Sequence, residues 1–311
     1  MELVDLSDPP GGPEPSAVVV ATGDLHADGA EYWLQHATFT LTEADTGDRR
    51  AVRVPSVPAA LAVLDERVAR WPHAAAICAD VLRAVDVTAP AYPGVITESL
   101  AYSTLQAGPE FARWLAERGP AVMPEDAEPV AVSRSGDTLR IAFNRPKRHN
   151  AFSTAARAGL LEALTVAALD TGIDEVVLTG NGPSFCSGGD LAEFGSFADP
   201  ASAHLARTRH SPALALDALT RRLGPAVRAE VHGQVLGSGL EMAAFCGHVL
   251  ARSGATFALP ELALGLLPGA GGTVSITRRI GRWRTAYLVL SGQSIDTRTA
   301  LDWGLVDSVT E

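Results

Sequence analysis

Hydrophobic and polar positions fall into two differently ordered stretches along the chain. In the first, β-branched and aromatic runs predict strands at 17–22 (AVVVAT) and 36–43 (HATFTLTE). Helices are predicted over 57–71 and over 96–119, where Leu100, Leu105, Phe111, Trp114 and Leu115 approximate an apolar stripe. Gly108-Pro109 breaks that second helix, because proline removes a backbone donor and crowds the preceding turn. Residues 1–16 are acidic and rich in Pro and Gly, which predicts a flexible tail. The Pro-rich acidic run GPAVMPEDAEP (119–129) reads as a linker, with a boundary near 128.

Order is clearer after the linker. VAVSR (130–134) and TLRIAF (138–143) flank Ser135-Gly136-Asp137 and predict a hairpin. A helix over 153–169 follows, then a strand over 175–180 and a glycine turn at 186–189 leading into a helical region that ends near 223. Strands are predicted at 226–231, 249–252 and 256–260, a short helix opens at Gly237-Ser238-Gly239, and helices close the chain. Repeated strand–strand–helix units predict an α/β fold.

Composition narrows the class. Hydrophobic residues make up 47% of the 311, enough for a sizeable core, and no run reaches the roughly 18 apolar residues of a membrane span. The N-terminus lacks the basic start and apolar run of a secretory signal, and Cys78, Cys186 and Cys246 form neither a zinc pattern nor a disulfide framework. A reducing, cytoplasmic setting is therefore expected, with no metal. The net charge of −11 is uneven: residues 1–128 carry 20 acidic and 8 basic side chains (−12), and 129–311 carry 16 and 17 (+1). That balance argues against nucleic acid as a partner. The one lysine, Lys147, lies in the cluster Arg145-Pro146-Lys147-Arg148, which reads equally as a solvated turn or an anion contact.

Four segments carry candidate chemistry: Asn144-Arg145-Pro146 with Asn150-Ala151; 185–191 (FCSGGDL); 232–241 (HGQVLGSGLE); and Pro260-Glu261 with 267–273 (LPGAGGT). Glycine lets a backbone approach a ligand closely, and amides at the start of a helix lack internal partners. Two such turns facing each other would aim two donors at one oxygen, and we choose Gly189 and Ser238 as those donors. Either turn alone is more often plain loop punctuation. Glu241 and Glu261 sit in apolar company, where a carboxylate is costly unless paired or functional. Two such groups with separated pKa values supply an acid and a base. Capping or an arginine partner, such as Arg252 or Arg278, is the competing reading. Asp190 reads as a cap for a helix after the first turn.

Together these segments resemble the enoyl-CoA hydratase/isomerase (crotonase) superfamily over about 139–309, through N-R-P-x-x-x-N-A, F-C-S-G-G-D-L, G-x-x-L-G-x-G-x-E and P-E-x-x-L-G-L-L-P-G-A-G-G-T. The resemblance implies a spiral of ββα units, with an additional mixed α/β region before it. It implies that the amides of Gly189 and Ser238 hold a thioester oxygen. It makes Glu241 the base toward water and Glu261 the proton donor to the α-carbon, in a lyase acting on a 2-enoyl-CoA. Coenzyme A then arrives as part of the substrate, not as a separate cofactor. Its phosphates would meet the basic turn, so Arg145, Lys147, Ser187 and Asp190 are the candidate coenzyme A contacts. The resemblance also implies a homo-oligomer, a trimer or hexamer. An isomerase using the glutamate matching Glu261, or a catalytically weak thioester-binding protein, stays open. Ser238 departs from the more usual glycine but keeps a backbone donor. Family members usually continue with helices that complete the acyl pocket; residues 96–118 are expected to offer that surface here.

Overall fold

The computed structural model describes residues 1–9, 18–122, 128–197 and 199–311. Three sheets organise these residues. A six-stranded sheet runs in the order Ser308–Thr310, His248–Arg252, Val227–Val231, Glu175–Gly180, Thr138–Phe143 and Val130–Ser135. Every neighbouring pair in it is parallel except the last, the expected hairpin, in which Val130 faces Phe143 and Ser135 faces Thr138. A three-stranded sheet joins Ile295–Asp296, Thr256–Ala258 and Gln234–Leu236. A four-stranded parallel sheet, Glu2–Asp5, Val19–Thr22, Phe39–Thr42 and Ala51–Arg53, stands in chain order.

Some helices begin where a side chain caps their first turn. Ser56 accepts from the Ala59 amide and starts Val57–Arg70, and Ser153 accepts from Ala156 N–H at 3.1 Å and starts Thr154–Leu169. Gly108 separates Ala91–Gln106 from Pro109–Arg118, as the proline at 109 requires.

Several expectations change. Residues 2–5 of the expected tail form a strand, because each pairs with a residue of 19–22, and Leu6 after it is buried; residues 10–16 of the tail lie outside the described residues. Residues 123–127 of the expected linker lie outside them as well. Helices Ala30–His36 and Pro72–Ala84 and the strand Ala51–Arg53 were not expected. Trp71, at φ −130° and ψ 54°, ends one helix, and Pro72 starts the next at once. Leu100 is exposed, so the buried stripe of its helix is Val95, Glu98, Tyr102 and Leu105 instead. The first glycine turn does not open a helix; the next one, Pro200–Arg209, starts ten residues later.

The boundary near 128 does not divide the core. One buried cluster runs from Phe39, Leu64, Cys78 and Phe111 through Ile141, Phe185, Leu267 and Leu288. The long helix Gly272–Ser291 is the spine of that contact. Phe39 meets Tyr287 edge-on at 5.6 Å, Arg67 Nε donates to Leu290 O at 2.9 Å, and Arg278 donates to Ala89 O at 2.8 Å.

Candidate active site

A cavity of about 310 Å³ opens between the two glycine turns, the N-terminus of Gly272–Ser291 and the helix Ala91–Gln106. The turns are tied backbone to backbone. Cys186 N–H donates to Gln234 O at 3.1 Å, and Leu236 N–H returns to Cys186 O at 2.9 Å. Phe152 N–H donates to Gly188 O at 2.7 Å, and Asp190 N–H to Phe152 O at 3.0 Å, which leaves Gly189 at the crest of its turn. Gly188 and Gly237 approach so closely that a side chain on Gly237 would touch the Gly188 backbone. Gly189 and Ser238 both line the cavity, and among the described residues neither amide has a protein acceptor. Two donors left over beside one cavity are the raw material of an oxyanion hole.

Three carboxyl groups line the same cavity. Glu241, on the short helix Ser238–Ala243, accepts from Ala270 N–H at 2.7 Å and Gly272 N–H at 2.8 Å, both through Oε2. Its Cγ and Oε2 occupy the space a side chain at Gly272 would need. Glu261 follows Pro260 in a single 3₁₀ turn; its Oε1 lies against Gly237, and its Oε2 is buried with no hydrogen-bond partner. The third is Glu98. It reaches across from Ala91–Gln106, accepting from Gly271 N–H at 2.7 Å, Thr273 N–H at 2.9 Å and Thr273 Oγ1–H at 2.7 Å. All three are nearly inaccessible and line the same cavity.

Burial governs their protonation. It pushes Glu241 up to about 7, against the lowering effect of the Ala270, Gly272 and Gly269 amides. Glu261 is raised well above the ordinary carboxylate range by burial and then by the charge of Glu241. Glu98 is raised to about 8 by the same two causes in the same order. Glu98 and Glu261 are raised further by the charge of Glu241, whereas only burial raises Glu241, which is therefore the lowest of the set. That separation provides a base and an acid at one centre.

The expected coenzyme A contacts divide. Arg145 and Asp190 form a buried ion pair at 2.8 Å, and Arg145 also donates to Ala151 O. Arg148 holds the other Asp190 oxygen at 2.8 Å. These charges tie the 145–150 loop to the turn at 186–190, so Arg145 and Asp190 support the loop from within. Asp190 caps no helix, because none starts there. Asn150 completes the tie, accepting from Arg145 N–H at 2.7 Å and donating to Asn181 O and Ser184 O. Lys147 is exposed and has no ion pair among the described residues, and Ser187 lines the cavity. Among the described residues no cluster of His, Cys, Asp or Glu is arranged to hold a metal, and no helix is long and apolar enough to cross a membrane.

Glu98 escaped the sequence reading. The available signal was a carboxylate at a stripe position, i+3 from Val95 and i−4 from Tyr102. Arg157 and Arg207, both at the cavity wall, escaped it too.

The model of one family, enoyl-CoA hydratase/isomerase, matches residues 134–311. The chain is 39% identical over 180 residues to the 2,3-dehydroadipyl-CoA hydratase of Escherichia coli, covering 58% of this chain and 68% of that enzyme. It is 36% identical over 174 residues to the mevalonyl-coenzyme A hydratase of Aspergillus fumigatus, covering 56% of this chain and 63% of the relative. Among solved structures, the enoyl-CoA hydratase of Thermoplasma volcanium superposes with a TM-score of 0.52 at 32% identity, over 59% of this chain and 72% of that one. The sequence matches thus cover just over half of this chain and about two thirds of each relative.

Proposed function

The chain belongs to the enoyl-CoA hydratase/isomerase family, and from that premise we propose that its cavity adds water across the double bond of a 2-enoyl-CoA thioester. The thioester oxygen accepts from Gly189 N–H and Ser238 N–H, so the charge that develops there meets fixed donors. Glu241 takes a proton from water through the oxygen its backbone donors leave free. The hydroxyl bonds to the β-carbon, the double-bond electrons move toward the thioester, and Glu261 gives its proton to the α-carbon. Proton exchange with solvent then restores both carboxyl groups. Coenzyme A lies along the rim, with its phosphates toward Lys147 and its thioester arm past Ser187.

One observation carries this reading: two unengaged amides and two buried carboxyl groups of different proton affinity line a single cavity. Loss of the enoyl absorbance of crotonyl-CoA tests it. The wild type turns over, and Glu241→Gln and Glu261→Gln each lose at least about 10²-fold in kcat, the scale of a removed acid or base. Absence of turnover in the wild type with several enoyl-CoA chains sinks the reading. A second reading, double-bond isomerisation, draws on the unpartnered Oε2 of Glu261, which suits a one-carboxylate proton shuttle. Glu241→Gln separates the two, because it stops hydration and spares isomerisation.

A further inference from the structure

The cavity has a cationic side that the hydration chemistry does not use. Arg157, on Thr154–Leu169, lines it half-buried. Among the described residues its one hydrogen bond is a long contact of 3.4 Å to Thr154 Oγ1, and no carboxylate pairs with it directly. Several arginines this enclosed are matched, Arg145, Arg228, Arg278 and Arg279 each reaching an acid within 3.0 Å, whereas Arg157 and Arg207 at this cavity form no ion pair among the described residues. The acid near Arg157 is Glu193, and it is already committed. Its Oε2 accepts from Thr154 N–H at 2.7 Å and Thr154 Oγ1–H at 2.8 Å.

Arg207 adds a second positive charge on the same wall. It is fixed by Ser99, Ser103 and Gln106 and lies 4.5 Å over the Tyr102 ring. Burial lowers the proton affinity of both guanidinium groups, and the charge of Arg157 lowers that of Arg207 further. Glu193 offsets the charge of Arg157 only through space, with no direct ion pair, and a ligand anion that meets a partly desolvated guanidinium directly gains charge-assisted hydrogen bonds. The lining also includes the apolar side chains Phe152, Phe194 and Val95.

We infer that the acyl arm this cavity accepts ends in a carboxylate, and that Arg157 is the residue that reads it. The inference rests on the thioester reading above and narrows its substrate class to 2-enoyl thioesters with an anionic far end. The same guanidinium chemistry would suit a phosphate of coenzyme A, and the test separates the two sources.

The probes are saturated thioesters, which bind without reacting: adipyl-CoA against hexanoyl-CoA, and glutaryl-CoA against pentanoyl-CoA, by calorimetry on the full chain. The wild type binds the carboxylate-bearing member about tenfold more tightly in at least one pair. Arg157→Gln erases that preference and leaves the Kd of the plain acyl-CoA within about twofold, and Arg157→Lys restores part of it. Equal binding within both pairs by the wild type overturns the inference while leaving the thioester reading intact. Equal weakening of both members by Arg157→Gln also overturns it, because the arginine then meets coenzyme A itself. Binding of no member overturns the thioester reading together with it. An unchanged thermal midpoint for Arg157→Gln confirms that the loss is not one of folding.

Discussion

Glu98 and Glu241 divide the amides of one turn between them. Glu241 takes those of Ala270 and Gly272, and Glu98 takes those of Gly271 and Thr273, so alternate donors point to alternate carboxyl groups. The four amides are the unpaired donors at the start of Gly272–Ser291, where the helix dipole also favours negative charge. A residue 173 positions away in the chain thus completes the turn that orients Glu241.

Removing Glu98 therefore disturbs the turn before it disturbs any substrate. Glu98→Ala leaves two buried amides and the Thr273 hydroxyl without an acceptor, at about 1–3 kcal/mol for each unsatisfied group. Glu98→Gln keeps one accepting oxygen and loses less. The expected order in urea midpoint is wild type, then Gln, then Ala, with kcat falling in that order and KM nearly constant. Equal midpoints for all three sink the assignment.

The same cluster sets a pH dependence of stability. All three glutamates hold their protons more tightly folded than unfolded, since burial raises each above its usual value. Between the unfolded value near 4.5 and the raised values, the native state binds more protons than the unfolded chain. The stabilisation is complete below about 4.5 and is lost as pH rises through about 7 and 8. The thermal midpoint should fall from pH 6 to pH 9, and Glu98→Gln should flatten that fall. A midpoint that climbs across this range contradicts the burial of ionisable acids.

How much of this was legible beforehand follows from distance along the chain. Glu241 with Ser238, and Gly189 with Ser187, lie within short motifs whose spacing is set by one turn, so sequence placed them at the cavity. The hairpin at 130–143 and the helix after Ser153 were legible for the same local reason. Glu98 was not, because its partners lie in a turn that only tertiary packing brings near. The ion pair of Arg145 with Asp190 was not legible, because nothing in the spacing reveals that two charges 45 residues apart bury each other. The strand at 2–5 failed likewise: its pairing residues are parallel neighbours, and a parallel partner leaves no hairpin signature.

Gly237 gives a steric prediction. Its φ is +46°, and a Cβ there would lie 2.5 Å from Glu261 Oε1. Gly237→Ala strains the backbone and displaces the carboxyl group at once. The turn that carries the Ser238 amide moves with it. A kcat loss on the order of 10² is expected, comparable to losing one oxyanion donor. Steady-state hydration of crotonyl-CoA measures it, and an unimpaired Gly237→Ala enzyme contradicts the packing of Glu261 against this turn.

The continuous core predicts that the N-terminal segment and the family-matched segment unfold together. Phe39 is fully buried on the four-stranded sheet and packs on Tyr287 of the spine helix. Phe39→Ala removes that contact at a cost of about 3–5 kcal/mol. Were the segments independent, the loss would stay on the N-terminal side, and two transitions would separate in urea. Because the buried cluster crosses the boundary, the wild type and the variant should each show one transition, shifted as a whole in the variant. Far-ultraviolet circular dichroism and tryptophan fluorescence report it, since Trp33, Trp71 and Trp114 lie on one side and Trp283 and Trp303 on the other. Enoyl-CoA hydration should vanish over the same urea range, because Glu98 and Tyr102 of the first segment line the cavity that performs it. Non-coincident curves would mean that the cavity can assemble without its N-terminal wall.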